Sequence, residues 1–181
     1  MVFQPFNLSI QDFDGVVGKS RAVESKEYSV FSIGHEVTGF SGFTFAAAEQ
    51  ADGFVFGSPV YYAHPSGRIL SALDRVFYAG SKAFAHKPGA AVAVARRGGT
   101  STTFDVLNKH FTINQMPVVA STYWNNVFGC VPGEADGDAE GLATMRNIGK
   151  NMVWLLRCIE AGKAAGIEAP EADRERTNFI R

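Results

Sequence analysis

From Ala51 onward the chain alternates between short apolar runs and longer amphipathic stretches, and that rhythm limits the folds open to it. "GFVFGSPV" is an apolar run bounded by glycine and proline, as in a buried strand. "SGRILSALDRVFYAG" follows, with Ile69, Leu70, Leu73, Val76 and Phe77 on one helical face, Ser66 as N-cap and Gly80 as stop. "GAAVAVARR" lacks alternation, as in a strand covered on both faces. "TSTTFDVLNKHF" places Phe104, Leu107 and Phe111 on one stripe behind a threonine–serine cap, and "MPVVASTYW" reads as the third strand of the series. A polar loop then leads to a helix over about residues 139–165, striped by Leu142, Met145, Gly149, Met152, Leu156 and Ile159 and closed by Gly166 and Pro170. Strand and helix in strict alternation imply crossover connections and a doubly wound parallel α/β sheet in three layers, α/β/α.

The first fifty residues do not share this rhythm. "FQPFNLSI" and "EYSVFSI" are candidate short strands, and "GFTFAAAEQADG" a candidate helix leading into Gly53. "GVVGKS", residues 15–20, has two residues between its glycines where a Walker phosphate loop needs four, so it reads as a surface turn. The 181 residues fit one domain, with 1–47 atypical, 48–166 regular and 167–181 a C-terminal tail.

Composition excludes several functions. Apolar residues make up 46% and charged residues 19%, which is globular, and the net charge of −1 offers no field for nucleic acid or an anionic membrane. Cys130 and Cys158 are the only cysteines, too few for a four-thiolate cluster, a structural zinc site or a disulfide framework. A reducing cytoplasm is therefore the expected compartment. No basic leader and no run long enough to span a bilayer is visible. His35, His86 and His110 lack metal spacing, so no metal is expected. "GEADGDAE" is half a calcium loop without its remaining ligands, an acidic lead-in with Asp138 near the helix start.

In a doubly wound fold the ligand sits beyond the carboxyl ends of the strands. Three loops leave those ends: Ser58–Gly67 with Tyr61, Tyr62 and His64, then Arg96–Ser101 with two arginines and Gly98-Gly99, then Tyr123–Gly129 with Trp124 and two asparagines. Backbone amides reached through glycine, aromatic faces and a cation are what a flat, anion-forming ring such as a flavin requires. Core or interface packing is the plainer role for the same aromatics.

"ADGFVFGSPVYYAHPSGRILSALDR", followed by "KPGAAVAVARRGGT" and "NKHFTINQMPVVASTYWN", resembles the flavodoxin-like NAD(P)H-dependent FMN reductase family over about residues 48–166. The resemblance implies that Ser58, Pro59, Val60, Tyr61 and Tyr62 line an FMN ring. It implies that Arg96, Arg97, Gly98, Gly99 and Thr100 cover its pyrimidine side, and that Ser66 and Gly67 start the helix below. It further implies hydride transfer from NADPH or NADH through FMN to a small-molecule acceptor, no catalytic protein nucleophile, and self-association, for which Tyr123, Trp124 and "TNFIR" are candidate contacts. The family's opening strand and its Ser/Arg/Asn-rich phosphate loop have no counterpart before residue 48. That departure leaves two further readings: a non-catalytic flavin-binding electron carrier, and a truncated relative with the fold but no cofactor.

Overall fold

The structure, a computed structural model, describes residues 30–33 and 45–179. The candidate strand "FQPFNLSI" and the turn "GVVGKS" lie outside the described residues. β1 (Val30–Ile33) falls within "EYSVFSI", and α1 (Phe45–Gln50) within the helix expected before Gly53. Then follow β2 (Gly53–Tyr61), a two-residue β3 (His64–Pro65), α2 (Gly67–Gly80), β4 (Gly89–Ala95), α3 (Thr100–Ile113), β5 (Asn126–Phe128) and α4 (Ala139–Ala164).

The sheet order is β1-β2-β4-β5, with every neighbouring pair parallel, while β3 folds back antiparallel on the end of β2. Successive side chains of a strand point to opposite faces, and β2 uses this to build two cores. Phe54 and Phe56 are fully buried with Leu73, Val76 and Phe77 of α2 and Leu107 and Phe111 of α3. There Phe77 and Phe84 lie 4.2 Å apart, and Phe56 stacks on Phe111 at 5.4 Å. Val55 faces the other way, with Ala90, Val119 and Ile148, Met152 and Leu156 of α4. Helices thus cover both faces, and the expected three-layer doubly wound architecture is the one observed. Lys87 closes α1: its ammonium donates to the carbonyls of Ala48 and Glu49 at 2.8 and 3.0 Å, where a cation suits the helix C-terminus. Burial lowers its pKa, partly offset by Asp52.

The strand expected over "MPVVASTYW" is corrected. Val118 makes a single bridge to Gly89, after which the chain leaves the sheet and returns only at Asn126–Phe128. Polar bonds to α4 hold the excursion: Ser121 Oγ donates to Thr144 O at 2.7 Å, and Asn151 Nδ2 to Ala120 O at 2.7 Å. Asn125 Nδ2 donates to Val119 O across the neck at 3.4 Å, and Asn125 O receives the Ala93 amide at 2.9 Å.

α4 ends as expected at Gly166, whose φ of +80° forms a left-handed C-terminal turn. The Gly166 amide donates to Lys163 O and the Ile167 amide to Gly162 O, at 3.0 and 2.9 Å, the paired bonds of a Schellman motif. Residues 167–179 form no regular element. Among the described residues no helix is long and apolar enough to cross a membrane.

Candidate functional site

The loop from β2 to α2 is closed by hydroxyl bonds. Ser58 is buried in β2, and its Oγ accepts from the Ser66 amide and donates to Pro59 O, both at 2.8 Å. Ser66 Oγ accepts from the Ile69 amide at 3.4 Å and caps α2. Both hydroxyls are therefore committed within the loop: they hold strand exit and helix start together. Pro65 is buried beside them, whereas Gly67 is exposed.

Between the two serines the chain makes a two-residue hairpin, with Tyr61 opposite His64 and Val60 opposite Pro65. Its central residues, Tyr62 and Ala63, have φ of +52° and +58°. That is the backbone of a type I′ turn, which asparagine and glycine normally supply. Two side-chain-bearing residues in the left-handed region cost about 1–2 kcal/mol each. Such strain concentrates at ligand clamps. The turn presents Tyr62 fully and Tyr61 about half to solvent, at 105% and 48% exposure. Of their plainer roles, core packing is thereby removed and interface packing is not. His64 is exposed too, with Nδ1 3.3 Å from Pro65 O.

The second loop leaves β4 through Arg96, Arg97 and Gly98, all exposed, and turns at Gly99. Gly99 has φ of +88°, and a Cβ there would stand 2.7 Å from Ala63 Cα and 2.8 Å from Val60 Cγ1. The glycine backbone thus lies directly on the tyrosine turn, so the two loops form one surface. The expected threonine–serine cap on α3 is corrected: Gly99 is the N-cap and no side chain bonds there. Helix-terminal amides without a side-chain cap suit an anionic group.

The third loop joins through a side-chain bond. Asn126 Nδ2 donates to Thr100 Oγ1 at 3.2 Å, with both residues buried. Before it, Tyr123 and Trp124 pack edge to face at 4.8 Å and are about half exposed. Beside them opens a cleft of about 350 Å³. Sequence reasoning named Thr100, Tyr123 and Trp124 but missed Asp138, Gly141 and Thr144, which also line this cleft. Asp138 was legible only as a helix start. In the structure its carboxylate caps α4 through the Gly141 amide and also accepts from Phe128 N–H, at 2.9 and 2.8 Å, drawing the end of β5 to the helix. Arg96 and Arg97 are not part of this cleft.

The twelve residues expected at a ring site thus lie on two loops in contact, with a third attached. They fit a flavin ring in kind: exposed aromatics, an open glycine backbone at Gly98, uncapped helix amides and two guanidinium groups. Among the described residues no group of three or more His, Cys, Asp or Glu could hold a metal ion.

Residues 44–129 match the family described as NADPH-dependent FMN reductase. An iron–sulfur flavoprotein of Methanocaldococcus jannaschii is 34% identical over 121 residues, 62% of this chain and 62% of that protein. The chain therefore spans less than two thirds of that relative's length. The cluster in that protein's name does not fit here, because Cys130 sits in the loop after β5 and Cys158 on the exposed side of α4, two thiols where a four-cysteine cluster needs four. Among solved structures, a flavodoxin from the domain Archaea superposes with a TM-score of 0.53 at 10% identity, covering 71% of this chain and 99% of that one. A flavodoxin, WrbA-like protein from Agrobacterium tumefaciens gives 0.52 at 18% identity, covering 63% and 71%. The fold is flavodoxin-like, and residues 44–129 are similar to the NADPH-dependent FMN reductase family.

Proposed function

We propose that the chain is a flavin-dependent oxidoreductase that takes hydride from NADPH or NADH and passes the electrons to a small-molecule acceptor such as a flavin or quinone. One observation carries this reading: the Gly99 backbone lies on the strained Val60–Ala63 turn, with Tyr61 and Tyr62 exposed beside it. FMN, when bound, supplies the redox chemistry. The protein's part is binding and tuning. Tyr61 and Tyr62 offer aromatic surface to a planar ring. The first amides of α3, with Arg96 and Arg97, favour negative charge on the side of the ring they face. Ser58 and Ser66 keep the turn in place without touching the ring. No residue acts as nucleophile, and the iron–sulfur chemistry named in the relative takes no part.

The test is the visible spectrum of the full chain, before and after FMN is added and then with NADPH or NADH without oxygen. Bound flavin bands that bleach with the nucleotide are expected. A protein that binds no FMN and oxidises neither nucleotide overturns the reading. Bound flavin that neither nucleotide reduces turns it toward an electron carrier.

A further inference from the structure

The cleft beside Tyr123 and Trp124 has a chemistry of its own. It opens between the first turns of α3 and α4, and Phe128 adds a third aromatic ring to its wall. Ser101, Asn126 and Thr144 contribute polar groups, and among the described residues its charged lining is Asp138 and Glu140. Asp138 is occupied by the two backbone amides described above, whereas Glu140 is exposed and has no hydrogen bond or ion pair among the described residues.

Charge decides which ligand suits it. The two helix N-termini contribute roughly half a positive charge each. On this side of the α3 N-terminus, away from Arg96 and Arg97, two carboxylates outweigh them, so the cleft carries net negative character and disfavours phosphates and carboxylates. Three aromatic side chains beside a carboxylate suit a flat cation, whose attraction to a ring face adds to the ion pair. Size narrows the choice further. About 350 Å³ is near the lower end of ligand pockets, roughly 300–1,000 Å³. That accommodates one or two fused rings.

We infer that this cleft binds a planar aromatic cation of one or two rings, held by Trp124, Tyr123 and Glu140. Thr100, shared with the glycine loop, places the bound ring next to the candidate flavin surface. The inference does not depend on flavin binding.

Equilibrium dialysis of the full chain, with and without added FMN, against three probes of one shape tests it: 1-methylquinolinium, neutral quinoline and quinoline-2-carboxylate. The cation is expected to bind about tenfold more tightly than the carboxylate, with quinoline between. Glu140→Gln, at an exposed position, should weaken the cation about fivefold and leave quinoline within about twofold, while Trp124→Leu should weaken both. A carboxylate bound as tightly as the cation, retention of none of the three, or cation binding indifferent to both substitutions overturns the assignment. Cation binding by a protein that takes up no FMN supports the cleft while the flavin reading fails. Flavin uptake without cation binding does the reverse.

Discussion

Gly99 shows how one missing side chain sets the site. Alanine there faces a left-handed backbone penalty of about 1–2 kcal/mol and a Cβ placed 2.7 Å from backbone. Gly99→Ala should therefore lose about 3 kcal/mol in urea unfolding, since overpacking typically adds about 1–3 kcal/mol. A loss under half of that would mean that the two loops do not touch as described. Ser58→Ala leaves the buried Ser66 amide without its acceptor and should cost about 1–3 kcal/mol in the same assay. At this scale the sequence was informative about which residues gather and silent about what each does. Ser58 and Tyr62 were both expected against a ring, yet one is a buried clamp and the other fully exposed. Nothing local tells them apart. The Ser58 partner lies eight residues away, and only the closed turn brings it within reach.

Elements were read well where hydrophobic period and punctuation agreed. The Ser66 cap, the strand over "GAAVAVA" and the Gly166 stop all sit where apolar spacing and turn residues place them. Gly166 offers a clean check, because nothing lies within 4 Å of a Cβ there and only the backbone angle opposes one. Gly166→Ala should cost about 1 kcal/mol and leave FMN binding unchanged; a change in flavin affinity would contradict the separation of the α4 C-terminus from the site. The misread strand failed for a physical reason. "MPVVASTYW" has strand propensity, but its Ala120 and Ser121 backbone and hydroxyl groups find partners on α4 rather than in the ladder. The α3 cap failed similarly, since Gly99 takes the capping position to meet the tyrosine turn and the hydroxyls fall inside the helix.

On the scale of the whole molecule, two apolar clusters on opposite faces of β2 and β4 hold the fold, and the candidate-site loops leave the carboxyl ends of those strands. Hydrogen exchange should follow that division: amides of Gly53–Phe56 and Gly89–Ala93, paired inside the sheet, should be the slowest, and those of Tyr61–His64 and Arg96–Gly98 among the fastest until ligand is added. Uniform protection across both groups would contradict it. The α/β class was legible because alternation over a hundred residues is a global signal. The start of the chain was not, because it lacks that period, and β1 shows only as four residues paired to β2. The central claim is that the converging strand-end loops cradle a flavin ring. The most direct measurement is a titration of FMN fluorescence with the full chain and with its Tyr62→Ala variant, a fully exposed position whose loss should spare the fold. Saturable quenching that weakens about tenfold in the variant is predicted; no saturable quenching by the unaltered chain, or equal affinity in both, would contradict the account.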